Sequence, residues 1–223
     1  MQRVKTAIRN TKAGGVAVLA ALLALAAALP ARSQNITTER VGVEETEAGN
    51  LLADAVRAAG GANFALVPAA AFKPGASVPR PATAEQAAGL VEPADDAVVV
   101  ISLRGAQVLA ALERSVSFAP QKSSGFLQVS GLRFTYNAAK PGGQRVASAS
   151  VNGTALEAAA TYKVATTRPL ANGQQGYFQI WDRKQNPATD TGKTLADALR
   201  DLARSRGGTL STPPEGRITA RGQ

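Results

Sequence analysis

The 223-residue chain contains no cysteine and no histidine, which excludes disulfides, thiolate chemistry, imidazole bases and histidine-ligated zinc. Its formal net charge is +9, but Arg3, Lys5, Arg9, Lys12 and Arg32 fall in the first 33 residues, where there is no acid, so the remainder carries twenty basic against sixteen acidic residues. A surplus that small argues against a general nucleic-acid binder, and none is expected as a partner.

The N-terminus has the three parts of a secretory signal: a basic stretch to Lys12, an apolar run from Val16 to Leu29, and small residues at Ala31 and Ser33. Residues 1–33 are expected to be removed by cleavage before Gln34. The apolar run of about 14 residues is short for a spanning helix, which needs roughly 20. The expected product is therefore a secreted or periplasmic protein, residues 34–223, with no membrane contact after cleavage and one core. A chain without thiols cannot mispair in such an oxidising compartment.

Leu51, Leu52, Ala55, Val56 and Ala59 repeat at helical spacing, with Thr46 as N-cap and Gly60-Gly61 as the stop. Residues 62–67 (ANFALV) read as a short buried strand, and a loop rich in proline and glycine follows from Pro68 to Pro81. Thr83 and Gln86 have the spacing of a capping box for a brief helix. Adjacent Asp95-Asp96 read as a turn, because nothing supplies the further ligands a metal would need. The β-branched run from Asp96 to Leu103 predicts a central strand buried on both faces.

Residues 106–116 return to helical periodicity on Val108, Leu109, Leu112 and Val116. Phe126 to Tyr136, Arg145 to Val151 and Tyr162 to Thr166 are strand-like. They are separated by the turn signals Pro141-Gly142-Gly143 and Asn152-Gly153, the latter the strongest hairpin signal in the chain. A loop follows at Asn172 to Gly176, and residues 194–206 form the last helix on Leu195, Ala198, Leu199 and Leu202, stopped by Gly207. Asp197 and Asp201 interleave with Arg200, Arg204 and Arg206, so the basic residues there and at Arg217 and Arg221 read as a solvated face. The class is α+β, a single domain of mixed β-sheet with flanking helices.

Four ordered segments resemble the C-terminal domain of secreted 5′-nucleotidases, a family that includes UDP-sugar hydrolases and 2′,3′-cyclic phosphodiesterases. They are Glu47, Gly49, Asn50, Leu51, Ala53, Asp54 and Ala55 in the pattern E-x-G-N-L-x-A-D-A; VVVISLRGAQVLAALERSV from Val98; GFLQVSGLRFTYN from Gly125, followed by Pro141, Gly142, Arg145 and Val146; and YKVATTRPLANGQQGYFQIWD from Tyr162. The resemblance covers about residues 41–206. It implies a domain that holds the nucleoside while a separate metal-dependent domain hydrolyses the phosphate ester. It further implies a base held between two aromatic rings, here Phe126 and Tyr177, with Asp182 and Asn172 near the pocket. Stacking on such rings is worth about 1 to 3 kcal/mol per base.

Two loops depart from the family pattern. Its N-G-G-G-I-R is Pro68, Ala69, Ala70, Ala71, Phe72, Lys73 here, so Lys73 keeps the charge without arginine's bidentate fork. Its G-G-D-G is Gly173, Gln174, Gln175, Gly176, with the acid gone. By pattern alone Phe126 and Tyr177 read as packing residues, a reading that the motif match sets level with the base clamp; Lys73 reads as a solvated loop lysine, and Asp182 equally as a ligand contact or a turn cap. Asp54 lies within the first helix and reads as a hydrogen-bonding anchor for a neighbouring loop.

With no histidine, the family's two-metal catalysis has no place in this chain, and no catalytic residue, metal or cofactor is expected. The leading expectation is an exported nucleotide- or nucleoside-recognition module. The alternatives are the recognition half of a split hydrolase, whose metallophosphoesterase is a separate chain, and an interaction scaffold that has lost its ligand.

Overall fold

The computed structural model describes residues 35–222; the leader expected over 1–33 lies outside them. In chain order the elements are β1 (Asn35–Thr37), α1 (Glu47–Gly60), β2 (Phe64–Pro68), β3 (Ser77–Pro79), β4 (Ala82–Thr83), α2 (Ala84–Ala88), β5 (Ala97–Arg104), α3 (Gly105–Ser115), β6 (Leu127–Ser130), β7 (Leu132–Asn137), β8 (Val146–Val151), β9 (Thr154–Ala155), β10 (Thr161–Thr167), α4 (Arg168–Ala171), β11 (Thr189–Thr194), α5 (Leu195–Ser205), β12 (Thr209–Leu210) and β13 (Ile218–Arg221). Short 3-10 turns occupy Ala69–Ala71 and Gln174–Gln179.

The main sheet has the order β11-β5-β10-β2-β6, with β2 and β10 parallel and the other pairs antiparallel. A second sheet, β13-β7-β8-β9, is closed by a parallel pairing of β13 with β7. The α+β class with mixed sheet and flanking helices is as expected. Helix α1 packs on β2, β6 and β10 with α5 alongside it, burying Leu51, Leu52, Ala55 and Val56.

Local signals set the helix ends. The Thr46 side chain accepts from the Gly49 amide, and Gly61 closes α1 in the left-handed region. Thr83 and Gln86 form the expected capping box, and Thr194 caps α5.

Three strand expectations need correction. The middle of the main sheet belongs to β10, and β5 lies beside it with Val98, Val99, Ile101 and Leu103 buried but Ser102 exposed. The run from Phe126 to Tyr136 is two strands in two sheets, broken at Gly131 with φ +72. A Cβ there would lie 2.6 Å from the Arg57 side chain and from the Asn63 carbonyl oxygen, so only glycine lets the chain turn from one sheet into the other. The Asn152-Gly153 turn joins β8 to the two-residue β9, not to β10.

The motif residues meet one another in the core. A Cβ on Gly49 would come within 2.0 Å of Gln128 Oε1. The fully buried Gln128 uses that space to donate to the Val41 and Glu44 carbonyls at 2.8 and 2.6 Å. Gly105 gives the same close approach to the Glu157 carbonyl. Buried Ser115 accepts from the Leu127 amide at 2.8 Å, and Arg145 Nη1 donates to the Val116, Ser117 and Ala119 carbonyls at the end of α3.

The C-terminal segment is fastened by acids at the start of α1. Glu45 accepts from the backbone amides of Glu215, Arg217 and Ile218, and Glu47 from Thr212 and Ser211. Asp54 accepts from Ser130 Oγ at 2.7 Å, from Arg217 Nη1 at 2.6 Å and from Arg206 Nη2 at 3.0 Å. Asp54 is thus a fold anchor, as its place in the helix suggests. Arg217 is not part of a solvated face, being buried, whereas Arg206 is exposed while reaching Asp54, and Arg200 and Arg204 pair along α5 with Asp197 and Asp201.

Candidate functional site: a cleft at the ends of two parallel strands

Strands β2 and β10 run parallel, so the loops after both emerge on the same edge of the sheet, the usual position for ligand crevices in parallel sheets. The loop after β2 is the Pro68–Lys73 segment, and the loop after β10 leads through α4 to Gly173–Gly176. These are the two loops in which the sequence departs from the 5′-nucleotidase pattern. Together they line a cleft of about 190 Å³, with Pro68, Ala70 and Ala71 on one side and Thr167, Gln174 and Gln175 on the other. The turn before β5 closes it with Glu92, Pro93 and Asp96. A second, more apolar groove of about 430 Å³ shares Ala70 and Glu92 with it and continues to Phe72, Lys122 and Ser124.

The second loop is conformationally strained. Gln175 sits at φ +60 between Gly173 at φ +85 and Gly176 at φ +84, although a non-glycine residue in the left-handed region costs about 1 kcal/mol. It is held there by Arg114, whose Nη2 donates to the Gln175 carbonyl at 2.7 Å, and by Ser124 Oγ at 2.6 Å from Gln175 Oε1. Strain maintained by surrounding contacts at a cleft is characteristic of functional loops. Asp96 is the cleft carboxyl with a displaced pKa: burial pushes it up, and neighbouring Asp95 adds to this against an opposing hydrogen bond from Ala97 and the charge of Arg168.

The expected site residues do not converge on this cleft. Phe126 is 2% exposed and Tyr177 fully buried, so neither ring offers a free face to a base. Tyr177 lies stacked on Trp181, centroids 5.0 Å apart, and donates its hydroxyl proton to the Gly125 carbonyl at 2.7 Å. Burial accordingly pushes its phenol up. The packing alternative is the one the geometry fits.

Asp182 is exposed and accepts from the Lys184 amide at 2.7 Å, capping a turn. Asn172 is an exposed residue at the end of α4. Lys73 is exposed, and its backbone pairs with Leu90 and with Thr38 Oγ1. None of these three lines the cleft.

The residues that do line it escape a reading of the sequence for identifiable reasons. Glu92 carries no motif, and Asp96 reads as a turn residue and is in a turn, its amide donating to the Pro93 carbonyl at 3.3 Å. Gln174 and Gln175 stand out only as departures from a pattern. Among the described residues no three acidic side chains gather as metal ligands, and no helix is long and apolar enough to cross a membrane.

Comparison with known proteins agrees with this architecture. Residues 20–183 match the family described as 5′-nucleotidase, C-terminal domain. An apyrase from Tabanus yao is 32% identical over 105 residues, covering 42% of this chain and 19% of that protein. A trifunctional nucleotide phosphoesterase protein of Bacillus subtilis is 28% identical over 189 residues, covering 81% of this chain and 13% of its own length. The chain therefore spans a fifth or less of these two relatives.

Among solved structures, a 5′-nucleotidase precursor from Thermus thermophilus superposes with a TM-score of 0.75 at 29% identity, over 93% of this chain and 42% of that one. The NAD nucleotidase of Haemophilus influenzae, at 15% identity and a TM-score of 0.68 over 86% of this chain and 37% of that one, shares the fold. This chain belongs to the 5′-nucleotidase C-terminal domain family.

Proposed function

We propose that this protein is an exported nucleotide- or nucleoside-recognition module that binds its ligand in the cleft between the Pro68–Ala71 and Gln174–Gln175 loops and is not catalytic alone. The observation that carries the reading is the convergence of these two loops at the carboxyl ends of the parallel pair β2 and β10. The amides of Gln174 and Gln175 and the carboxyls of Glu92 and Asp96 supply the donors and acceptors that a base edge or a ribose requires. At about 190 Å³ the cleft is smaller than the roughly 300 Å³ at which ordinary ligand pockets begin. The ligand therefore extends past Ala70 into the adjoining groove. Hydrolysis of what it holds falls to a separate metal-dependent phosphoesterase chain.

Calorimetric titration with AMP, adenosine and UDP-glucose tests this. Saturable binding that Ala70→Trp abolishes, with the melting temperature unchanged, is expected. No heat and no thermal shift with any of the three would sink it. The buried state of Phe126 and Tyr177, set beside the exposure of Phe118 and Phe178 at 52% and 66%, favours a second reading, an interaction scaffold without ligand. That reading is the one a silent titration would leave standing.

A further inference from the structure

The far end of β2 carries a different kind of cavity. Pro68 at its carboxyl end lines the cleft, whereas the Asn63 carbonyl just before its first residue touches Gly131 at the opposite end. Beside Gly131 opens a cavity of about 270 Å³ lined by three arginines, Arg57, Arg133 and Arg217, and two acids, Asp54 and Glu215.

The charges are unequally shared. Arg217, with 8% of its side chain exposed, takes up both acids: it donates to the two Asp54 oxygens at 2.6 and 3.3 Å and through Nε to Glu215 Oε1 at 2.8 Å. Arg206 places a second cation on Asp54 at 3.0 Å. Among the described residues, Arg57 is left with neutral acceptors, the Asn152 side-chain oxygen at 2.9 Å and the Ala62 carbonyl at 3.5 Å. Arg133 donates to the Glu215 carbonyl at 2.7 Å, and the nearest carboxylate oxygen, at 3.9 Å, is the one Arg217 already holds. Four guanidinium groups thus face two carboxylates.

The position of Arg57 is also built in. Its guanidinium lies where a Cβ on residue 131 would be, 2.6 Å from Cζ and from Nε, so the glycine that turns β6 into β7 also seats this arginine. Its bond to Asn152, which has φ +48 at the head of the turn into β9, fixes the guanidinium from the other side. A half-buried guanidinium held by neutral groups, with a second one on the same wall, is a preorganised receptor for two oxygens of one anion.

We propose that this cavity binds a small doubly charged oxyanion of the phosphate or sulfate class, with Arg57 and Arg133 as its donors and Arg217 pairing the two acids that share its wall. The site is independent of the cleft assigned to the nucleoside. The oxyanion is either free in solution or the terminal phosphate of a nucleotide.

The test is titration of the full chain with inorganic phosphate and with sulfate, followed by calorimetry and thermal shift, against sodium chloride at matched ionic strength. Saturable phosphate binding is expected, weakened about tenfold in Arg133→Gln and in Arg57→Gln, the loss of one charge-assisted hydrogen bond. Arg133 is exposed, so Arg133→Gln keeps the fold if Arg57→Gln does not. Ala70→Trp, which closes the cleft, leaves phosphate affinity unchanged. AMP that competes with phosphate in Ala70→Trp identifies a nucleotide phosphate as the ligand, and AMP that does not compete identifies the free ion. A shift that chloride reproduces, or phosphate affinity equal in the wild type and Arg133→Gln, overturns the site.

Discussion

The two ends of α1 and β2 obey different rules. Around α1 and the C-terminal segment, the motif acids Glu47 and Asp54, with Glu45 just before them, each accept two or more hydrogen bonds from 211–218 or from Arg206, and Gly49 exists to admit Gln128. Around the cleft, the Ala69–Ala71 turn and a strained Gln175 replace the family's glycines and acid. The matching segments are those the scaffold needs in order to close, and the departing segments are those that face the cleft. Similarity to the family is therefore chiefly a record of packing, and the cleft proposed for a ligand lies where the similarity fails.

Four measurements test that contrast. The largest effect belongs to Arg217→Ala, which strands Asp54 and Glu215 without their shared cation. Breaking a buried pair by removing one partner costs about 3 to 5 kcal/mol, to be read from chemical denaturation, and a loss under about 1 kcal/mol would show that the clasp is ornamental. Gly49→Ala comes next, because its Cβ would collide with Gln128 Oε1; overpacking of this kind costs about 1 to 3 kcal/mol, whereas Ala70→Gly in the cleft loop should be near neutral.

The third measurement uses acid titration, because the two regions carry carboxyls displaced in opposite directions. For Asp54, burial would raise the carboxyl, but Arg217, Ser130 and Arg206 outweigh it and hold it below the usual range. Its contribution to stability is present above the unfolded pKa and lost as pH falls through the folded one. Asp96 is pushed up by burial, so it penalises the fold once pH rises past its ordinary value. Asp96→Asn should therefore raise the melting temperature at pH 7 and match the wild type at low pH, while Asp54→Asn should lower it at pH 7 and flatten the acid limb. If both substitutions act with the same sign, the contrast between the regions is wrong. The smallest effect on the melting temperature is that of Gln175→Gly, which relieves left-handed strain worth about 1 kcal/mol and gives back part of it through the lost Ser124 contact and a freer unfolded chain.

Much of the scaffold is legible in the sequence because its signals are local. Thr46, Gly61, the Thr83–Gln86 pair and Thr194 sit within a turn of the helices they cap. The break at Gly131 is not, because FLQVSGLRF keeps a strand-like pattern through the glycine. Its positive φ is required by Arg57 and Asn63, which are distant in sequence. The strands β1, β3, β12 and β13 are too short, or too polar, to announce themselves before their partners are known.

For the site the difficulty is tertiary. Nothing local says that Tyr177 turns inward to Trp181 and Gly125 while Phe178 beside it faces solvent. Asp96 reads correctly as part of a turn, and only the sheet edge on which that turn lies makes it a cleft residue.

The manner in which Glu45 holds the amides of 215, 217 and 218 has a temporal side. The acids of α1 leave the ribosome well before the groups that neutralise them, 163 positions earlier for Asp54 and Arg217, and β13, which completes the second sheet, comes as late. Until those residues arrive, α1 carries unmatched carboxylates and β7 an open edge. The clasp on α1 and the closing strand of the second sheet are therefore among the last contacts that the growing chain can form.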